Sequence, residues 1–220
     1  MIIVLQILKI VFVLFVSWYL LCNIAMIYLK YYHPPISMVQ LQKKIGDAAR
    51  GKYFGIDVVY INDIPLDIQR IFIAAEDPNF FLHKGIDWKA IFIKWKKSRE
   101  DKNKIVGAST ITQQLIKNLF FTTHRSYFRK ILELLLVYNT EIILKKNRII
   151  NIYLNIVEFD SGIYGIEAAS NHYFGVETNK LSFDQAARLA SVLPAPRIRD
   201  PHKMNMLSRD VLLRYSYIEW

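Results

Sequence analysis

The chain has 220 residues, 53% of them hydrophobic and 14% aromatic, which is enough for one sizeable core and too little for two ordinary ones. With 29 Lys and Arg against 19 Asp and Glu, the formal charge is +10; this points to an anionic partner without separating nucleic acid from phospholipid or a phosphorylated substrate. Cys22 is the one cysteine, so an intramolecular disulfide is excluded and the redox compartment stays open.

From Ile10 to Leu29 the sequence carries no charge, over roughly the 20 residues that a helix needs to cross a bilayer core. Residues 1–30 are therefore expected to form a transmembrane anchor. Trp18, Tyr19 and Tyr28 interrupt the apolar run and no A-x-A pattern follows it, which favours an uncleaved anchor over a signal peptide. Lys9 flanks one end while Lys30, Lys43 and Lys44 lie beyond the other, so local charge weakly favours a cytoplasmic location for the bulk of the chain. Next, "YYHPPIS" reads as a short stiff connection, because paired prolines favour extended backbone, and residues 31–45 are expected to link the anchor to one domain over 46–220.

Within that domain "KYFGIDVVYIND" (52–63) is the best candidate for extended chain. Helical periodicity then predicts segments over 66–76, 87–99, 111–120, a long stretch 126–154, 166–173 and 183–193, with Gly and Pro between them, so the fold class is mainly α. Asp87 is placed to cap the second of these.

Three stretches carry chemistry. In "IAAEDPNFFLHKGID" a helix ends at Glu76, stopped by Pro78. A carboxylate there faces the negative end of the helix dipole among apolar neighbours, and both effects raise its pKa toward the range useful to a general base. The plain reading is a solvated helix end with Asp77 capping the next turn. In "GASTITQQLIKNLF", Thr110 and Gln113 form a capping-box pattern, while Gln114 and Lys117 share a helix face and the free N–H groups at the helix start favour an anion. In "RSYFRKILE", Arg125, Arg129 and Glu133 follow one another at one-turn spacing, as either an anion site or a salt-bridge ladder on a solvated face.

Together "EDPNFFLHKG", "GASTITQQ", "RKILE" and "RIINIYLN" resemble, in that order, the successive motifs of the peptidoglycan glycosyltransferases, lysozyme-like enzymes that polymerise lipid II. "GIYGIEAASNHYFG" and "LSFDQAARLASVLPAPRIRDP" resemble the closing segment of the same family, so the likeness runs from about residue 50 to about residue 201. With one span and no transpeptidase module following the domain, the chain looks like the monofunctional biosynthetic type.

The resemblance implies a lysozyme-like glycosyltransferase domain behind one N-terminal transmembrane helix, and assigns roles residue by residue. Glu76 becomes the general base that deprotonates the acceptor's 4-hydroxyl, which attacks the donor's anomeric carbon and displaces undecaprenyl pyrophosphate with inversion. Glu133 is expected near the donor pyrophosphate, directly or through a divalent cation, magnesium or manganese; no organic cofactor is expected. Lys117, Arg125, Arg129 and Lys130 are assigned to the diphosphates, and Ser109, Gln113 and Gln114 to hydrogen bonds with sugar or phosphate oxygens. One departure stands out: where the family usually has a glutamate shortly before Y-L-N, this chain has Asn151, a change expected to touch helix packing more than chemistry. The resemblance also overrides the local charge signal. It implies a single-pass protein of the bacterial cytoplasmic (inner) membrane with its catalytic domain periplasmic, and as partners lipid II, the lipid-linked glycan chain, the membrane and cell-wall synthesis proteins, not nucleic acid. The basic, apolar stretch 90–107 reads as a membrane-surface segment or as a solvated helix and loop. Two alternatives are carried forward: a lysozyme-like hydrolase or lytic transglycosylase, and a noncatalytic membrane-anchored interaction protein.

Overall fold

A computed structural model describes residues 2–51, 58–100, 109–124 and 126–220. Arg125, residues 52–57 of the expected extended stretch and residues 101–108 lie outside the described residues. In chain order the described elements are α1 (Ile2–Leu29), α2 (Met38–Ala48), α3 (Leu66–Glu76), α4 (Trp88–Glu100), α5 (Ile111–Phe120), α6 (Tyr127–Ile143), α7 (Lys146–Ile156), β1 (Glu158–Asp160), β2 (Ile163–Tyr164), α8 (Ile166–Phe174), α9 (Phe183–Val192) and α10 (Met206–Tyr217). The fold is mainly α, with β1 and β2 paired as one small antiparallel hairpin.

Local sequence starts several of these helices. Ser37 with Gln40, Thr110 with Gln113, Ser182 with Gln185 and Asn205 with Ser208 form reciprocal capping boxes at the starts of α2, α5, α9 and α10. Each such cap contributes about 1 kcal/mol by satisfying N–H groups that the helix itself leaves unpaired. Asp87 caps α4, accepting from the Ala90 N–H at 2.8 Å. Tertiary packing decides elsewhere. The expected long helix over 126–154 breaks at Leu144 and Lys145, which are extended; no Gly or Pro marks the break, and Leu144 leaves the helix to enter the core. The segment expected as linker is helical from Met38, and the described part of the expected extended stretch, 58–63, forms no strand.

The main core is built around α7, which is buried from Ile149 through Ile156. Phe72 of α3 meets Phe159 of β1 edge to face, with ring centroids 5.9 Å apart. Gly165 lets α8 approach α7: its φ is 85°, and a β-carbon there would lie 2.6 Å from the Asn155 carbonyl oxygen.

A second core joins α1 to the domain. Residues 2–15 of α1 are exposed all round, whereas Cys22, Met26 and Leu29 are buried, the first two packing against Leu136 and Val137 of α6 and Ile116 of α5. Trp18 stacks edge-on against Phe121. A polar seam runs beside this contact: the Asn139 amide nitrogen donates to the Tyr19 hydroxyl at 2.5 Å and to Asn23 Oδ1 at 2.7 Å. At the foot of α1, Arg148 donates to the carbonyls of Leu29 and Tyr32, each at 2.8 Å, placing a cation on the negative end of the helix dipole. Arg148 also donates to Asn151 Oδ1, whose amide nitrogen donates in turn to the Asn62 carbonyl at 2.9 Å. Asn151 thus belongs to a packing network that holds the anchor, which matches the structural role expected for this departure.

Candidate active site

The acidic loop that follows α3 is pinned from three sides. Asp77 Oδ2 accepts from the Ile111 N–H at the start of α5 (3.0 Å), and the Asp77 carboxylate also pairs with His83 Nε2 at 3.0 Å. Because the Gly85 N–H donates to His83 Nδ1 at 3.1 Å, the hydrogen on this ring sits on Nε2 and donates to Asp77. The Thr110 hydroxyl donates to the Gly85 carbonyl at 2.6 Å. Gly85 has φ 86°, and a β-carbon there would collide with Val137 and Glu141 of α6. Beneath it Glu141 is held by Lys146 at 2.8 Å and by the Thr112 hydroxyl at 2.5 Å, with the Lys146 ammonium 4.3 Å from the centre of the Phe80 ring.

This scaffold fixes Glu76, the last residue of α3, in a half-buried position. One of its carboxylate oxygens accepts from the Gln114 amide nitrogen at 2.8 Å, and Gln114 Oε1 accepts from the Tyr153 hydroxyl at 3.0 Å. Burial pushes the Glu76 carboxyl above its ordinary range, and the Gln114 hydrogen bond together with the charges of Lys117, Lys94 and Arg199 offsets part of that rise. Lys117 is displaced in the opposite direction. Burial lowers its pKa; Glu133 and Glu76 counter this, while Arg129 and Lys130 reinforce it.

Beside Glu76 a cavity of about 500 Å³ is lined by Ser109, Gln113, Gln114, Lys117, Arg129, Lys130 and Glu133, seven of the nine expected site residues, together with Ser126 and Tyr127. Glu76 stands one hydrogen bond behind this wall, through Gln114. Glu133 is 2% exposed and contacts the Arg129 guanidinium through one carboxylate oxygen and the Lys130 ammonium, at 3.2 Å, through the other. Arg129, Lys130 and Glu133 therefore form an anchored wall of the cavity, with the Glu133 end of this segment buried and not on a solvated face. Arg129 Nε remains buried without a hydrogen-bond partner among the described residues, leaving a donor free.

Gln113 and Gln114 both line the cavity, and part of each amide is engaged within the protein. Gln113 Oε1 accepts from the Thr110 N–H in the capping box (3.1 Å), so its carbonyl end is committed to the helix start. Each end of the Gln114 amide makes one bond within the protein, to Tyr153 and to Glu76, so it supports the acid while lining the cavity. Tyr153 itself was not among the expected site residues. In sequence it is one more apolar position of a buried helix, and its link to Glu76 spans 77 positions through Gln114, which no local pattern reveals. A resident metal ion fits this cavity poorly. Its one carboxylate is already held by two cations, and no group of three or more His, Cys, Asp or Glu occurs among the described residues.

The sequence matches the Transglycosylase family over residues 43–217. Similar curated proteins include a "Biosynthetic peptidoglycan transglycosylase" of Nitrosomonas eutropha, 38% identical over 197 residues that cover 87% of this chain and 78% of that protein. Proteins of the same name from Janthinobacterium and Marinomonas are 47% and 44% identical, over 64% and 73% of this chain. The matched stretch spans 70% of the Marinomonas relative but 62%, less than two thirds, of the Janthinobacterium relative's own length.

Proposed function

The chain belongs to the transglycosylase family, and from that premise we propose that it is a membrane-anchored peptidoglycan glycosyltransferase that polymerises lipid II into β-1,4-linked glycan strands. The observation that carries this reading is the pairing of a carboxyl group of raised pKa, Glu76, with an adjoining cavity walled by Lys117, Arg129 and Lys130.

In this reaction the acceptor's 4-hydroxyl gives its proton to Glu76 and its oxygen forms a bond to the donor's anomeric carbon. The bond from that carbon to the pyrophosphate oxygen breaks on the opposite face, so an α-linked lipid phosphate becomes a β-glycoside. Charge that develops on the leaving pyrophosphate is met by the cationic wall, in which Glu133 holds Arg129 and Lys130 before substrate arrives. Preset cations of this kind spare the reorganisation that water would need. In this reading the wall supplies the neutralising charge. Ser109, which also lines the cavity, offers a further donor to the pyrophosphate oxygens.

Membrane attachment follows from α1, whose first half presents apolar side chains on every side. On α6 the exposed residues Ile131, Leu135, Tyr138 and Ile142 form a stripe next to the residues that pack on α1, and α4 exposes Trp88, Phe92 and Trp95. These exposed apolar side chains support a reading in which the cavity works beside the bilayer, next to a lipid-linked donor. We assign the anchor to the cytoplasmic membrane, with the catalytic domain on the periplasmic side, where lipid-linked donor is used. A hydrolase of uncharged glycosidic bonds has no use for the cationic wall, which disfavours that alternative.

The test is incubation of the full-length protein in detergent with labelled lipid II. Formation of polymer that lysozyme digests supports the reading; shortening of preformed glycan without polymer formation would instead identify a hydrolase.

A further inference from the structure

We propose that Tyr153 is a positioning residue, which sets the basicity of Glu76 by fixing which end of the Gln114 amide faces it. The inference rests on Glu76 acting as the base. An amide presents donors at one end and an acceptor at the other, and the two ends favour opposite charge states of a neighbouring carboxyl. A donor end stabilises the carboxylate. An acceptor end sets lone pairs against lone pairs unless the carboxyl keeps its proton.

Tyr153 removes that ambiguity. Its side chain is fully buried on α7, and its hydroxyl lies 3.0 Å from Gln114 Oε1. Burial, with Glu76 and Asp77 nearby, holds the phenol protonated far above neutral pH. The phenol can therefore donate to Oε1, which turns Nε2 toward Glu76, 2.8 Å away. Without the hydroxyl, Oε1 loses its buried partner and the amide gains a reason to turn over. The other charges that act on Glu76 are Lys117 of α5, Lys94 of α4 and Arg199 beyond α9, with Asp77 next in sequence. None of these is altered by removing one hydroxyl from α7, so a change in Glu76 reads the amide.

The experiment measures kcat/KM against pH for the full-length protein and for Tyr153→Phe, Gln114→Ala and the double variant. Tyr153→Phe should move the acid limb upward by about half a pH unit or more, as expected when a hydrogen bond to the charged form is lost. KM at pH values above the limb should stay unchanged. Gln114→Ala should move the limb in the same direction, and adding Tyr153→Phe to it should produce no further movement, because the hydroxyl acts through the amide. A folded Tyr153→Phe whose limb is unmoved, or additive shifts in the double variant, would overturn the proposal. If Tyr153→Phe does not fold, the side-chain amide protons of Gln114 are followed by ¹⁵N NMR in the unsubstituted protein. Protection from exchange, with shifts that track the ionisation of Glu76, supports the proposal, and exchange at the rate of a free amide overturns it. Glu76→Gln run in parallel separates the two ideas: an active Glu76→Gln removes the base itself, whereas an inactive one beside an unmoved limb removes only the role of Tyr153.

Discussion

Glu76 and Gln114 are joined by a 2.8 Å hydrogen bond from an amide nitrogen to a carboxylate oxygen, across the gap between the last turn of α3 and the second turn of α5. Burial favours the neutral acid and this bond favours the anion, so the carboxyl is raised without being locked in its protonated form. That balance suits a group that must be ionised before the reaction and protonated after it.

The pH dependence of polymerisation should accordingly be a narrow bell. Activity requires ionised Glu76 and is lost as pH falls through a pKa that lies above the ordinary carboxylate range. It also requires charged Lys117, and is lost as pH rises through a pKa below the ordinary lysine range. Initial rates across pH should show both limbs, and Lys117→Met should lower the rate at every pH and leave the residual activity without the basic limb.

Glu76→Gln should make the protein more stable at neutral pH while removing its activity. A carboxyl whose folded pKa exceeds its unfolded one favours the fold at pH values below the unfolded pKa, and that contribution is lost as pH rises through the folded value. Glutamine keeps the Gln114 contact and carries no charge to desolvate. The gain should be about 2–4 °C in Tm for each 1 kcal/mol in a chain of this size, present at pH 7 and absent at pH 4.

Arg129→Ala should lower both donor binding and thermal stability. Losing a charge-assisted contact to the diphosphate weakens binding by about 1.5–3 kcal/mol. The same change leaves the buried Glu133 with Lys130 alone, and breaking a buried pair costs on the order of 3 kcal/mol. Arg129→Ala should therefore fall well below Lys117→Met in Tm, and calorimetry of the two variants checks it.

Deleting residues 1–30 should destabilise the domain. Met26 and Cys22 fill the second core and Arg148 binds the backbone at the foot of α1. Burial of an apolar side chain such as Met26 contributes about 1.5–3 kcal/mol. The truncated protein should unfold at lower temperature than the full chain in the same detergent. Equal Tm values would show that the α1 contact contributes nothing.

Most of the fold was legible where pattern and cap agree. The bounds of α3 and α5 follow from Pro78 and from the Thr110–Gln113 box, and Pro78 puts Glu76 at the helix end where the dipole raises its pKa. What failed to show depends on long-range packing. The break at Leu144 has no local signal, α2 lies where paired prolines suggested a stiff link, and α10 carries a weak apolar face. In the site, spacing brought Lys117, Arg129 and Glu133 into view and the family resemblance added Lys130, but neither showed that Glu133 is buried and holds its neighbours. Nor could spacing assign the Gln114 amide to Glu76 and Tyr153, since those partners are 38 and 39 positions away.

The central claim is that Glu76 is the base of a polymerisation whose leaving group is a lipid pyrophosphate. Single-turnover polymerisation of labelled lipid II by the full-length protein and by Glu76→Gln, at the pH optimum and in the same detergent, tests it most directly. The account predicts lysozyme-sensitive polymer from the unsubstituted protein, and from a folded Glu76→Gln a rate lower by roughly 10² or more, as expected for a missing general base. Near-normal polymer formation by Glu76→Gln would contradict it.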